Sequence, residues 1–253
     1  TDSDDFYGVD TVEIVINDLP SVPGISVAPA SPTSSEDVTV TVTSDSTDLE
    51  NDTISYSYLW YLNGIPTSNI AATLPFASTV RGELWTVEVR GVDQYGSGEA
   101  NSLDVTIQNS PPQLVGASLS ASSVQEEGSL VGTGLSPTDI DGDAVTTELL
   151  WLVNGVAVST DSQIDGALFN KGDTIQCTAT PYDDFANAAG ATESSTSIVV
   201  DNTAPSLGTV SLSPVAAYES TTFSCLFDPP TDVDPADASN LTTAIDWLVN
   251  GAS

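Results

Sequence analysis

Residues 60–64 read Trp-Tyr-Leu-Asn-Gly, and this stretch returns as Trp-Leu-Val-Asn-Gly at 151–155 and again at 247–251. Measured from Trp to Trp, the copies are 91 and 96 residues apart. A period of this size fits one β-sandwich domain of about 100 residues. The sequence therefore predicts successive copies of one small fold.

Other landmarks keep the same phase. Acidic clusters precede the three Trp residues, at 48–52 (DLEND), 139–143 (DIDGD) and 232–237 (DVDPAD). A Gly-acid step opens a later strand at 82–83 and 172–173, and that strand closes on Asp93 or Asp183. The chain opens with a related stretch, DDFYG, at 4–8. Several landmarks at one period indicate a true repeat.

Within each period the residues alternate as they do in strands. Val and Thr alternate through 38–43, and one face of a later strand carries Trp85, Val87 and Val89. Period-two alternation rich in β-branched and aromatic residues is typical of half-buried strands. About seven short strands in roughly 90 residues is the immunoglobulin pattern. We therefore predict an all-β chain of tandem immunoglobulin-like antiparallel β-sandwiches.

Pro-containing linkers separate the predicted repeats and set their boundaries. Residues 1–20 complete one repeat, 21–110 and 111–204 form two whole repeats, and 205–253 begin another that stops after its third strand. The sequence contains no Met, which we expect of a segment taken from a longer protein.

Trp60, Trp151 and Trp247 share the strand that holds the core Trp of immunoglobulin domains, so we predict that all three are buried. Sugar-stacking platforms are the alternative, but the fixed phase favours core packing. Because 205–253 lacks the later strands of its repeat, Trp247 must be covered by residues outside that segment. Exposure of Trp247 would contradict this assignment.

The two cysteines occupy the strand positions of the immunoglobulin disulfide, but in different repeats. We therefore expect no bond between Cys177 and Cys225. Cys177 is predicted to be a small buried hydrophobic residue.

The chain is strongly acidic, with 36 acidic residues, three basic residues, no His and a net charge of −33. Phosphate binding needs clustered Lys and Arg, so nucleic acid and anionic membrane surfaces are not expected as partners. No run of 18 apolar residues is present, so this segment is not expected to insert into a membrane. The charge must be screened by salt or neutralised by cations such as Ca²⁺.

Catalytic chemistry finds little support in this composition. Without His there is no Ser-His-Asp arrangement and no imidazole metal ligand. Paired carboxylates can hydrolyse glycosides, but here they recur in step with the repeat, whereas an active site is expected once. We therefore expect no enzymatic activity.

The acidic clusters are the candidate metal sites, because Ca²⁺ takes six to eight hard oxygens and closely spaced carboxylates supply them. In an immunoglobulin fold the loop after the second strand and the loop after the sixth strand share one end of the sandwich. The chain of the preceding repeat arrives at that end, so each joint would gather oxygens from two domains. The predicted ligands are Asp18, Asp48, Glu50, Asp52 and Asp93, then Asn109, Asp139, Asp141, Asp143 and Asp183, and then Asp201, Asp232, Asp234 and Asp237.

Solubility is the alternative explanation for these loops, since Asp and Asn are favoured in turns. An EF-hand is excluded, because a loop beginning at Asp139 has Ala144 at its sixth position and Leu150 at its twelfth. Recurrence in three phases favours calcium.

The acidic cluster, the Trp-x-x-Asn-Gly strand end and the Gly-acid strand closing on Asp resemble the PKD-like and cadherin-like immunoglobulin-type repeats of very large prokaryotic surface proteins. The resemblance implies a cell-surface or extracellular location and a role as spacer, adhesin stalk or filament subunit. The implied partners are adjacent repeats, copies of the chain in a filament, or a surface glycan or other cell-surface partner. A carbohydrate-binding module of a secreted protein and an S-layer component are the alternatives.

Overall fold

The structure, a computed structural model, describes residues 11–12, 14, 16–234 and 237–251. The chain separates into two compact units, 1–110 and 111–253. The DDFYG stretch at 4–8 lies outside the described residues. In the described part of the chain, no helix is long and apolar enough to cross a membrane.

The first unit folds as a sandwich of two antiparallel sheets. Its described strands are β1 (Gly24–Ala28), β2 (Val38–Ser44), β3 (Ser55–Leu62), β4 (Ile65–Pro66), β5 (Thr73–Leu74), β6 (Leu84–Val92) and β7 (Asn101–Thr106), with a 3-10 turn at Phe76–Ser78. One sheet has the order β1-β2-β5 and the other β4-β3-β6-β7. This strand order is that of an immunoglobulin sandwich, with β3 and β6 as the central strands of one sheet.

The core of the first unit follows the alternation in the sequence. Val38 and Val40 of β2 point inward and are 0% and 4% exposed. Trp60 of β3 is fully buried. Its ring meets Trp85 edge to face at 6.5 Å, and its indole N–H donates to the carbonyl of Ala71 at 2.9 Å. The predicted inward faces and the burial of Trp60 are confirmed.

The second unit contains another sandwich followed by a separate strand pair. Its strands are β8 (Gly116–Leu119), β9 (Val124–Gln125), β10 (Ser129–Leu135), β11 (Val145–Val153), β12 (Val156–Ser159), β13 (Gln163–Asp165), β14 (Thr174–Asp183), β15 (Glu193–Ser194), β16 (Ile198–Asp201), β17 (Val210–Ser213) and β18 (Ser224–Phe227). The sheets have the orders β13-β10-β8 and β12-β11-β14-β16-β9, with β15 beside β14. Strand β9 pairs with β16 in parallel, and β17 pairs with β18 alone.

The core of this sandwich repeats the pattern of the first. Trp151 is fully buried, and its indole N–H donates to the carbonyl of Asp161 at 2.8 Å. Cys177 is also fully buried, as predicted, and burial raises the pKa of its thiol. A Cβ built on Gly132 would lie 2.6 Å from its sulfur, so the missing side chain makes room for the thiol. Cys225 lies on β18 as a free, half-buried thiol.

Trp247 differs from the other two, and the prediction that it is buried is wrong. Its side chain is 50% exposed. Trp151 is enclosed because β11 pairs with β14 over nine residues and the opposite sheet covers that strand pair. Residues 241–248 form no strand, and β17 and β18 have no opposing sheet among the described residues. Two strands alone cannot enclose an indole ring.

The Asn-Gly turn after each Trp keeps one geometry in all three copies. Both residues of each turn have left-handed φ angles, which a two-residue type I′ turn requires. The φ values are 49° and 81° at 63–64, 52° and 78° at 154–155, and 52° and 82° at 250–251. The local turn therefore forms even where the strand before it does not.

Candidate cation sites at the repeat joints

Three groups of carboxylates converge among the described residues, each beginning in the loop that follows the second strand of a repeat. Within each group, the candidate ligand oxygens all lie within 4.8 Å of one another. Cluster 1 is Asp48, Asp52 and Asp93, cluster 2 is Asp139, Asp141 and Asp143, and cluster 3 is Asp232, Asp234 and Asp237.

A tight turn built on the first Asp brings cluster 1 together. Asp48 Oδ1 accepts the backbone N–H groups of Glu50 at 2.9 Å and of Asp52 at 3.0 Å. In such a turn the Asp carboxylate accepts backbone N–H groups that follow it in the chain, so the loop closes around that side chain. Asp93, just after β6, completes the cluster, and Gln94 donates to Asp52 Oδ1 at 3.1 Å.

Asp93 is held in its charged form by the donors around it. Desolvation raises the pKa of this carboxyl, but the N–H groups of Tyr95 and Gly96, each at 2.7 Å, and the amide of Asn17 outweigh it. The pKa therefore lies below its ordinary value. An ionised carboxylate is the form that a hard cation binds.

The chain segment that precedes the first sandwich reaches cluster 1 through Asn17. Its side-chain amide donates to Asp93 Oδ2 at 3.3 Å and to the carbonyl of Asp18 at 2.8 Å. Asp18 contributes its backbone N–H, which donates to Glu50 Oε2 at 3.2 Å. The carboxylates of Asp18 and Glu50 lie outside the three-carboxylate group.

Cluster 2 repeats the same turn. Asp139 Oδ1 accepts the N–H groups of Asp141 at 2.8 Å and of Asp143 at 3.4 Å. Asp183 is 3% exposed but does not join this group. Its Oδ1 accepts the N–H groups of Ala186 and Ala188, at 3.2 and 3.0 Å, in its own loop. Asn109 belongs to the first unit, so its participation in cluster 2 stays a prediction.

Cluster 3 contains one fully buried carboxylate. Asp232 Oδ1 accepts the N–H of Asp234 at 2.8 Å, and Asp234 is fully buried. Asp234 Oδ2 accepts the N–H of Thr203, in the segment that follows β16, at 2.9 Å. Asp201 ends β16 with an exposed side chain and is not part of the group.

Each cluster contains a buried carboxylate oxygen with no hydrogen-bond partner. These oxygens are Asp48 Oδ2, Asp139 Oδ2 and Asp234 Oδ1. Burying an acceptor without a partner costs roughly 1–3 kcal/mol, and more for a charged group. A cation bound in each cluster would give its unpartnered oxygen a ligand, and sets of carboxylate oxygens suit Ca²⁺ or Mg²⁺.

The joints also contain basic residues that the sequence reasoning did not use. Arg81 and Lys171, two of the three basic residues, each stand directly before a Gly-acid step. The Arg81 guanidinium contacts Asn109 Oδ1, and Lys171 Nζ pairs with Asp237 Oδ2. The signal that could have revealed these two basic residues in the sequence is their common position, one residue before the Gly-acid step of each repeat.

In each sandwich one glycine lets the backbone of the entering chain approach closely. A Cβ on Gly98 would lie 1.9 Å from the carbonyl oxygen of Pro20, and one on Gly190 would lie 1.8 Å from that of Pro112. Real Cβ atoms do not come this close to an oxygen, so the entering chain requires Gly at both positions.

No family model matches the chain, and no curated protein matches it. Among solved structures, the FN1–FN3 domains of chicken CNTN1 match with 14% identity and a TM-score of 0.28, covering 83% of this chain and 76% of that one. Three N-terminal domains of the bacteriophage RB49 outer capsid protein Hoc match with 13% identity and a TM-score of 0.30, over 70% and 69% of the two chains. A Ca²⁺-stabilised adhesin with which an Antarctic bacterium binds ice matches with 12% identity and a TM-score of 0.29, over 76% and 52%.

These neighbours are tandem immunoglobulin-like or fibronectin-type domains of adhesins and surface proteins. At such identities and TM-scores the likeness does not indicate what this chain does. The chain's own sheets and cores define its class, a tandem immunoglobulin-like β-sandwich protein, as the sequence predicted.

Proposed function

We propose that this chain is a structural or adhesive segment of an extracellular repetitive protein, stiffened by Ca²⁺ at the joints between its repeats. The observation that supports this most strongly is the recurrence of a buried, unpartnered carboxylate oxygen in each of the three clusters. An enzyme needs its catalytic carboxylates once. A rod of repeated domains needs a stiffening site at every joint.

The placement of the clusters supports a mechanical role over simple solubility. Asn17 donates to cluster 1 and Thr203 donates to cluster 3, so the linker before a repeat is tied to that repeat's acidic loop. Filling such a site would order the linker as well as the loop. Extracellular modules bind Ca²⁺ with dissociation constants of roughly 10⁻⁴–10⁻³ M, which suits millimolar calcium outside cells.

The proposal is tested by the melting temperature of the full chain in chelator and in 5 mM CaCl₂ at constant ionic strength. A cation that binds the folded form stabilises it by RT ln(1 + [Ca²⁺]/Kd), or about 1–2 kcal/mol per site for these constants. This corresponds to a rise of roughly 5 °C or more in a domain of this size. Small-angle X-ray scattering should show a more extended chain with calcium.

The matched variants change net charge equally at different places. Asp139→Asn with Asp143→Asn should remove the calcium effect at cluster 2, whereas Glu99→Gln with Glu127→Gln, both exposed, should preserve it. Identical melting and scattering with and without chelator would refute the proposal.

A further inference from the structure

The two basic residues that precede the Gly-acid steps share a position that charge alone does not explain. Arg81 stands before the step at 82–83, and Lys171 stands before the step at 172–173. The chain has 36 acidic residues, so a basic side chain could meet a carboxylate on almost any part of its surface. The common position therefore points to a role at this particular place in the fold.

The backbone around Lys171 is fixed to its own sandwich. The N–H of Gly172 donates to the carbonyl of Val200 on β16, and the N–H of Val200 donates to the carbonyl of Asp173, both at 2.9 Å. The N–H of Lys171 itself donates at 3.3 Å to Oε2 of Glu126, the residue after β9. The Lys171 side chain therefore starts from a well-held backbone beside the strand that leads into the linker.

The other end of this side chain contacts a different repeat. Lys171 Nζ forms an ion pair with Asp237 Oδ2, 66 residues later in the chain. Asp237 lies in a turn of its own, because its N–H donates to the carbonyl of Asp234 at 3.0 Å and its carbonyl accepts the N–H of Asn240 at 2.8 Å. The ion pair thus joins two segments that are each held by backbone hydrogen bonds.

Arg81 makes a corresponding contact in the first unit. Its guanidinium donates to Asn109 Oδ1, in the segment through which the chain leaves the first sandwich. The Asn109 side-chain amide in turn donates to the carbonyl of Ser110 at 3.2 Å. In both sandwiches the basic residue before the Gly-acid step binds chain that follows the last strand of its own repeat.

We propose that Lys171 is a positioning residue of the joint, whose ammonium holds the loop at 232–237 beside the sandwich at 111–204 when no metal is bound. Without a cation, the three carboxylates of cluster 3 repel one another and the surrounding acidic surface. An ammonium attached to the chain offsets part of this repulsion at any calcium concentration. The proposal goes beyond the proposed function, because the contact requires no calcium.

The test is native-state hydrogen exchange of the full chain in chelator at low salt. The reporting group is the N–H of Thr203, which donates to Asp234 Oδ2 at 2.9 Å and exchanges when the loop opens away from the linker. Lys171→Met keeps the apolar stem of the side chain and removes its charge. Both partners of the ion pair are more than a third exposed, so we expect exchange at Thr203 to become about two- to fivefold faster.

The control is Arg90→Met, which removes the same charge from the third basic residue. Arg90 pairs with Glu88 within the first unit, so this variant should leave exchange at Thr203 unchanged. Lys171→Arg keeps the positive charge and should exchange more slowly than Lys171→Met. Equal exchange at Thr203 in Lys171→Met and in the unmodified chain overturns the proposal.

Salt provides a readout that separates an ion pair from simple packing by the Lys171 stem. Raising NaCl to 1 M shortens the screening length to about 3 Å, so exchange at Thr203 should quicken in the unmodified chain and stay unchanged in Lys171→Met. The same response to salt in both proteins would show that the charge of Lys171 does not hold the loop. All these measurements are made in chelator, so their failure leaves the proposed calcium sites untouched.

Discussion

Replacing Trp151 by Ala tests the assignment of the core most directly. The side chain is fully buried and donates its indole N–H to the carbonyl of Asp161. Emptying a large aromatic from a core costs about 3–5 kcal/mol, depending on how far the surroundings collapse. The facing residue on β10 is Gly132, whose built Cβ would lie 3.1 Å from the indole ring. Because Gly132 has no side chain to fill the space, we expect a loss in the upper part of that range.

The assay is urea unfolding followed by far-ultraviolet circular dichroism, with Trp247→Ala as the matched control. Trp247 is 50% exposed, so its replacement should cost less than about 1 kcal/mol. The two variants have the same composition and differ only in which Trp is lost. Equal losses of unfolding free energy, or a loss below about 1 kcal/mol for Trp151→Ala, would refute the reasoning.

Two further predictions concern the joints. Gly190→Ala places a Cβ against the carbonyl of Pro112 and should lower the unfolding free energy by roughly 1–3 kcal/mol. The control is Gly116→Ala, which has open space around its Cβ and should change the unfolding free energy little. Equal melting temperatures for the two variants would contradict the close approach at Gly190. In chelator, the raised pKa of Glu126 means that the folded protein binds a proton at this carboxyl more tightly than the unfolded chain does. The resulting contribution to the free energy of unfolding is fully present below the ordinary pKa of 4.5 and is lost as pH rises through the raised value. Melting temperature should therefore fall less across that window in Glu126→Gln than in Glu127→Gln, and parallel pH profiles would count against it.

The sequence predicts the parts of the fold that depend on neighbours along the chain. Alternation decides which face of a strand is apolar, so Val38, Val40 and Trp60 lie in the core as expected. The turns at Asp48 and Asp139 are also local, because each carboxylate accepts N–H groups two and four residues ahead.

Contacts made across a joint were beyond reach of the sequence. The N–H of Thr203, just after β16, donates to Asp234, which lies 31 residues later in the chain, and no periodicity encodes that contact. Asp93 and Asp183 show a second limit, since they have the same phase but different surroundings. Asp93 accepts N–H groups two and three residues ahead, whereas Asp183 accepts groups three and five residues ahead. Loop geometry, not residue type, separates them.

The parallel pairing of β9 with β16 has a consequence under tension. Val124 lies beside Val200 and Gln125 beside Asp201, and the Gln125 side chain also donates to the carbonyl of Asn202 at 3.0 Å. A force that draws the two ends of the repeat at 111–204 apart acts along these strands in opposite directions. The force therefore loads the hydrogen bonds between β9 and β16 in shear, all at the same time. In a hairpin pulled at its two ends, by contrast, the bonds would break one after another. Asn202 directly precedes Thr203, whose N–H donates to Asp234 at 2.9 Å, so the same pull reaches cluster 3 and the strand pair at once.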